Sequence, residues 1–502
     1  MDSFLLAGTW KLVIILLSPL VYILAACIYN VFFSPLSFAP GPILWRASPL
    51  PWAWHALRGT LVKKTKELHG IYGPVVRISP RELSYADSGV WTNVYMHRPG
   101  KPEWPKDPTR LSVTPNKIPT IISAGKQDHA RLRRLLAHAF SEKGLREQSP
   151  IIQKYVDQLM QRLGGFADAG SPANLVSWYI MTGFDIIGDL GWGETFHCLE
   201  TGEEHEWITI VLPGVQYITI TAVLRTLGLG RLIPWLVSKH MQEKRLKNFS
   251  FANIRINNRI AHKEPRGDFW DKIMVKSADD NKSGEGMMHG EMVNNATTLV
   301  IAGSETSSTA LSGATFLLLK HPDKMKKLVN EVRSTFSTND EITTLSVGHL
   351  KYTMAVLEEA LRMYPPAPIP GPRNPPQGGG MLNGHFLPED TIVSVTNVGC
   401  CSSEANFHRA SEFIPERWLD DRPAEFENDN RVAFQPFSAG TRNCIGRNLA
   451  YAEMKLILAK VVYNFDLSFA DEAGTGNWLD QKAWALWEKP PLNVILSRAE
   501  HS

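Results

Sequence analysis

Phe437-Ser-Ala-Gly440-Thr-Arg442-Asn-Cys444-Ile-Gly446 is the densest chemical signal in the chain. Directly after it, Leu449, Met454, Leu456, Ile457, Val461 and Val462 recur at helical spacing, so the segment reads as a loop that runs into a helix start. A cysteine placed there meets the positive end of the helix dipole and free backbone N–H groups, both of which favour thiolate. Gly440 and Gly446 allow a tight loop and let a flat cofactor approach the backbone. Arg442 can reach a carboxylate, and Phe437 can shield the sulfur from water. No histidine base lies within the segment, which suits an iron ligand better than a free nucleophile. A buried structural cysteine is the plainer alternative.

The rest of the chain frames that loop. At 502 residues, 44% hydrophobic and 21% charged, it has an ordinary globular balance, which excludes a disordered or fibrous protein. A net charge of +3 excludes the whole-chain basic character of a dedicated nucleic-acid binder. The five cysteines make no disulfide framework: Cys27 lies in an apolar run, Cys198 is alone and Cys400–Cys401 are adjacent. A reducing compartment is expected for the main domain.

Leu12 to Phe33 carry no fully charged side chain, and as a helix they span about 33 Å, enough for a bilayer core. A retained anchor is expected over 12–33, behind a short tail at 1–11. A cleaved signal peptide, hinted at by Ala25-Ala26-Cys27, is the alternative. Lys11 and Arg46 leave orientation undecided. Pro35, Pro40, Pro42, Pro49 and Pro51 follow, reading as a stiff hinge over 34–55 that holds the domain near the membrane surface. Residues 56–502 then read as one mixed domain, mainly helical, with short strand-like stretches such as Thr391–Val398 and a surface loop at Ser277–Gly290. A second apolar stretch, Leu224–Val237, reads equally well as core helix or as a segment dipping into a membrane.

Three further patterns stand out. Glu359 and Arg362 lie at i,i+3 on one helical face and can pair; if they are buried, Arg417 in Pro415-Glu-Arg417-Trp can supply further donors. A solvated surface pair is the commoner origin of such spacing. Glu291 to Lys320 reads as one long helix rich in small and hydroxyl residues, with Ala302-Gly303-Ser304-Glu305-Thr306 at its middle. Thr306 offers a hydroxyl and Glu305 a carboxylate for a proton relay, the alternative being close helix packing with Glu305 in solvent. His129 and Arg133 share a helical face.

The cysteine loop resembles the haem-binding loop of the cytochrome P450 superfamily at its five defining positions, Phe437, Gly440, Arg442, Cys444 and Gly446, a match whose chance probability is on the order of 10⁻⁴. The other patterns occur in that family's order. Glu359, Arg362 and Arg417 resemble its structural triad, and the 302–306 segment is similar to its oxygen-activation motif. His129 and Arg133 resemble its propionate-binding helix, with histidine where many members carry tryptophan, and Arg373 resembles the further arginine that reaches a propionate. The resemblance implies a mainly α fold with small β-sheets and haem b with an axial thiolate from Cys444. It also implies a monooxygenase that inserts one oxygen atom from O2 into an apolar small molecule.

An anchor followed by prolines is the arrangement of the microsomal branch. The resemblance there implies the endoplasmic reticulum membrane, a cytosolic single-pass domain, and electrons from a separate NADPH–cytochrome reductase, with cytochrome b5 as a further donor. The basic run Arg131, Arg133 and Arg134 is expected to face that partner unless it is an ordinary solvated helix face. The sequons at Asn248, Asn281 and Asn295 are then unused. The text from Phe184-Asp185 to Gly193-Glu194 and from Phe413 to Trp418 most resembles fungal secondary-metabolism members acting on polyketide, terpenoid or alkaloid intermediates. Substrate contacts are expected before His129, near Val300 and Ala302, at Ala367–Gly371 and around Trp484–Trp487. Two rivals remain: a haem-thiolate isomerase or dehydratase that needs no reductase, and a non-catalytic haem or ligand carrier. The retained Glu305–Thr306 pair argues against both.

Overall fold

The computed structural model describes residues 17–500 apart from 97, 263, 272 and 275–285. Helices dominate: α1 (Leu50–Leu57), α2 (Leu61–Tyr72), α3 (Lys126–Leu136), α4 (Glu142–Ala169), α5 (Leu175–Trp192), α6 (Glu206–Thr226), α7 (Lys239–Ala261), α8 (His289–Lys320), α9 (Pro322–Thr335), α10 (Lys351–Met363) and α11 (Arg447–Asn464). Among the described residues eight short strands, β1 (Val75–Ser79), β2 (Glu82–Tyr85), β3 (Ala173–Asn174), β4 (Gly380–Leu382), β5 (His385–Leu387), β6 (Ile392–Val395), β7 (Phe465–Phe469) and β8 (Asn493–Arg498), form small sheets at the margins. β1 and β2 are antiparallel and β2 pairs parallel with β6; β7–β8–β3 is antiparallel, and β4–β5 is a hairpin. The expected strand at 391–398 is β6, and the long helix expected from Glu291 begins at His289.

α8 runs through the centre, buried for most of its length between Glu291 and Leu318. It crosses α5 where side chains are missing: a Cβ on Gly183 would sit 3.0 Å from the Ser304 backbone, and one on Gly303 would sit 2.9 Å from Ile187. Most hydroxyls along α8 bond back to their own helix, Ser304 to the Val300 carbonyl and Thr306 to that of Ala302 among them, which lets a polar sequence pack inside a core. Asn295 is fully buried and accepts from the Ile121 N–H at 2.8 Å, so no glycan fits there. Asn281, and the expected 277–290 loop as far as 285, lie outside the described residues.

The proline-rich segment is not a free hinge. Leu36, Ala39, Trp45 and Trp52 are buried, and the buried Arg77 donates from β1 to the Asn30 carbonyl at 2.6 Å and to Ser34 Oγ at 3.1 Å. The described part of the expected span is the apolar helix Leu17–Phe33; residues 12–16 lie outside the described residues. Among the described residues, Glu206–Thr226 is the one helix long and apolar enough to cross a membrane, yet 44% of its apolar window is packed inside the domain. The chain after it breaks up, with a short turn at Gly230–Leu232 and another at Ile233–Leu236. Leu229, Leu232, Trp235 and Leu236 are exposed there, so this stretch is not core helix.

Candidate active site

Cys444 sits two residues before Gly446, the N-cap of α11, on a loop pinned by a 2.8 Å bond from its own N–H to the Phe437 carbonyl. Gly440 adopts φ +73, and a Cβ on it would lie 2.1 Å from the Tyr95 carbonyl, so only glycine closes the loop against that neighbour. A Cβ on Gly446 would meet nothing closer than 3.8 Å; what it would do is project toward the cavity that Gly446 lines. Phe437 packs against Tyr451 with the rings tilted by 53° and their centroids 4.9 Å apart. The accessible surface of Cys444 belongs to that same cavity, and enclosure raises the thiol above its ordinary range, opposed by the Gly446 N–H and by Arg133 and Arg447.

The cavity, of about 310 Å³, lies between α8 and the cysteine loop. Its wall includes Leu299, Ala302, Gly303, Thr306 and Ala310 from α8, Pro366, Ala367 and Pro370 after α10, and Phe437, Arg442 and Cys444 below. At one end Lys106, Arg373 and Arg442 converge. Arg373 is buried, and among the described residues its Nε has no partner and its Nη1 reaches only the Trp104 carbonyl at 3.5 Å. The Lys106 ammonium, bonded to the Ile122 carbonyl at 2.7 Å, is pushed down to about 7 by burial and then by Arg373 and Arg442. Glu103, 3.0 Å from Arg442, is the carboxylate that meets them. Such a cluster favours an anionic guest with more than one carboxylate.

Lys106 and Tyr95, whose hydroxyl donates to the Gly371 carbonyl at 3.1 Å, carry no sequence signal: both lie in stretches without periodicity. His129 and Arg133 are not on the cavity wall. Arg133 donates to the Asn443 carbonyl at 2.7 Å and to the Asn443 side chain, bracing the cysteine loop from behind. His129 is buried beside it and held to about 4 by burial and then by Arg442, Lys106, Arg133 and Arg373, so it stands as a neutral donor.

On α8 the two expected relay residues part company. Thr306 lines the cavity. Glu305 is buried and pairs at 2.6 Å with Lys489, whose ammonium also donates to Thr309 at 2.9 Å. Glu305 is therefore neither in solvent nor on the cavity wall. Gly303 does line the cavity, but Ile187 of α5 already demands its missing side chain.

Glu359, Arg362 and Arg417 are brought together at full burial, which removes the surface-pair reading. Glu359 accepts from Arg362 Nε at 2.7 Å and Nη2 at 2.8 Å, from Arg417 Nε at 3.0 Å, from the Ile414 N–H at 2.9 Å and from Trp418 Nε1 at 2.9 Å. Arg362 in turn caps the carbonyls of Cys401 and Ala410, tying α10 to the segment that leads into the cysteine loop.

Two other expectations change. Trp484–Trp487 is absent from the cavity wall: Trp487 stacks on Tyr364 and donates to the Pro365 carbonyl, while Trp484 packs on Gly59 and donates to the Leu57 carbonyl. The basic run on α3 is largely spent internally. Arg131 pairs with the buried Glu291 and donates to the Gly286 carbonyl, and Arg133 is on Asn443.

Comparison with known proteins agrees with this geometry. The family model described as Cytochrome P450 matches residues 40–496, and the chain belongs to that family. It is 45% identical over 481 residues to the versicolorin B desaturase of Dothistroma septosporum, covering 95% of this chain and 92% of the relative. It is 46% identical to the versicolorin B desaturase of Emericella nidulans, with 96% and 98% covered. It is 44% identical to the averantin hydroxylase of Dothistroma septosporum, with 95% and 89% covered. The protein is thus a cytochrome P450 monooxygenase, an oxidoreductase whose cofactor is a cysteine-ligated haem.

The residues present fit that group. A sulfur faces the cavity, the wall is mainly apolar, and the partnerless Nε of Arg373 marks the cationic end where two propionates belong. Cys444 would hold the iron, and Arg373, Arg442 and Lys106 the propionates.

Proposed function

We propose that this monooxygenase inserts one atom of O2 into an apolar fungal secondary-metabolite intermediate. Its anchor is residues 12–33, in the endoplasmic reticulum membrane with the domain on the cytosolic side. Electrons come from a separate NADPH-dependent flavoprotein reductase. The observation that carries the reading is the cavity itself: apolar over most of its wall, open to the Cys444 sulfur on one side and bordered by the Thr306 hydroxyl on the other. The exposed apolar faces of Leu17–Phe33 and of Leu229, Leu232, Trp235 and Leu236 support the membrane setting.

A thiolate-ligated haem supplies the oxygen chemistry, thiolate donation favouring O–O cleavage. The chain supplies the surroundings. Arg373, Arg442 and Lys106 neutralise the propionates, with His129 as a neutral donor behind them. Phe437 and the Tyr451 ring tilted against it keep water from the sulfur. Leu299, Ala302 and Pro370 present an apolar wall to the substrate. Thr306 holds a proton within the cavity at its Oγ1, which donates to the Ala302 carbonyl at 2.6 Å at rest. Glu305 can serve only when its pair with Lys489 opens. The Glu359–Arg362–Arg417 cluster has a structural role, fixing the chain beneath the cysteine.

Versicolorin B and averantin, named for the relatives, are the first substrates to test. Full-length protein with reductase and NADPH should convert one of them, and Cys444→Ala should abolish both turnover and the red-shifted carbon monoxide band of the reduced protein. Turnover without reductase would favour an isomerase or dehydratase, and ligand binding without oxygen uptake a carrier. The two desaturase relatives favour a second outcome from the same site. Hydroxylation adds one oxygen to the product and releases one water. Desaturation removes two hydrogens and releases two waters, for the same O2, two electrons and two protons. The product mass separates them.

A further inference from the structure

Five of the eight residues from Pro365 to Pro372 are proline, and this stretch forms the cavity wall at Pro366, Ala367 and Pro370. Proline has no N–H, so the segment can neither bond to itself as a helix nor lie in a sheet interior. It is nevertheless buried at Pro365, Pro366, Pro368 and Pro370, where a carbonyl without a donor is costly. The donors come from distant parts of the fold. Trp487 Nε1 donates to the Pro365 carbonyl at 2.8 Å, the Tyr95 hydroxyl to that of Gly371 at 3.1 Å, and the Asp107 N–H to that of Pro372 at 3.1 Å.

The middle of the wall is held by one residue. Asn397 opens the helical turn Asn397–Cys401 after β6, is 2% exposed, and itself lines the cavity. Its Nδ2 donates to the Ala367 carbonyl at 2.9 Å, and its N–H donates to the Pro368 carbonyl at 3.1 Å. The turn that carries it is fixed as well. The Thr396 N–H donates to the Tyr85 carbonyl of β2 at 3.0 Å, and Thr396 Oγ1 accepts from the Gly399 N–H at 3.1 Å.

We propose that Asn397 is a positioning residue for the substrate: it sets how far the Pro366–Pro370 wall stands into the cavity, and so how an apolar guest lies against the reacting centre. The proposal rests on the monooxygenase reading of the cavity. Asn397 acts through the wall and performs no chemistry. Without its Nδ2 the Ala367 carbonyl is buried and unpaired, and a stretch that is mostly proline has few N–H groups of its own to satisfy it. The wall then has to move to find another donor. A displacement of about 1 Å in a surface that orients substrate can change a rate about 100-fold.

The test uses the full-length haem-loaded protein, its haem content normalised by the reduced carbon monoxide spectrum. Imidazole and 1-phenylimidazole are the probes. Both bind a haem iron through nitrogen and red-shift the ferric Soret band, but only the second carries a ring large enough to press on the wall. Asn397→Leu keeps the side-chain volume and deletes the amide. It should change the dissociation constant of 1-phenylimidazole about tenfold and leave that of imidazole within about twofold. Asn397→Gln, which keeps an amide donor, should return part of the difference. With reductase, NADPH and versicolorin B or averantin, Asn397→Leu should raise KM about tenfold and alter the ratio of oxidised products, with kcat changed much less. The probes are read without substrate. If neither compound is converted while the probe difference persists, the substrate reading falls and the role of Asn397 stands. If Asn397→Leu fails to load haem, Asn397→Ser, too short to reach the Ala367 carbonyl, decides in its place. Equal changes for the two probes, or a change in neither, would overturn the proposal.

Discussion

Glu359 and Glu453 are equally buried carboxyls in one chain, and their surroundings make them different groups. Glu359 receives five donors, three of them from two guanidiniums, and spends both oxygens holding α10 to the chain beneath the cysteine loop. Glu453 has the Ser307 hydroxyl and a cavity in front of it. Burial sets the cost of a charge; the partners decide whether the group becomes a strut or a neutral acid. Glu305 lies between the two cases, with a single ammonium that turns it from the cavity.

The contrast can be broken most forcefully at the strut. Glu359→Ala leaves Arg362 and Arg417 buried without their carboxylate, a loss of about 3–5 kcal/mol, and should remove most of the folded, haem-loaded protein. A normal yield, read by the carbon monoxide spectrum, would sink the structural assignment. Thr306→Ala should by contrast keep haem and fold while the share of electrons reaching product falls about tenfold, measured as peroxide against product. Full coupling would take Thr306 out of proton handling.

Stability against pH sharpens the comparison at Glu453. Burial pushes its folded-state pKa up to about 8, above the ordinary 4.5, so the native state keeps the proton through a range where the unfolded chain has lost it. This group therefore costs nothing below 4.5, costs progressively more as pH rises toward 8, and levels off above it. Urea unfolding below, within and above that window should show Glu453→Gln gaining on wild type as pH rises. A constant difference would mean the carboxyl is not held neutral. The smallest effect is expected at the cationic end, where Lys106→Met should speed haem loss to a scavenger protein only a few-fold, since Arg373 and Arg442 remain. An unchanged rate would remove Lys106 from the propionate set.

Local sequence carried what local spacing can carry. The tight loop at Gly440, the cysteine before a helix start, the i,i+3 pairing of Glu359 with Arg362 and the length of α8 all follow from backbone conformation and periodicity, which neighbours in sequence determine. Even Glu453 left a trace, as a lone acid in the apolar run of α11. The tertiary structure alone decided which way groups face. It brought Lys489, 184 positions from Glu305 in the chain, onto that carboxylate, and it turned Arg131 and Arg133 inward. It also bonded the proline-rich segment to β1 and moved Trp484–Trp487 off the cavity wall. These outcomes depend on contacts between distant segments, and the free energy of a buried charge depends on which partner the fold delivers to it.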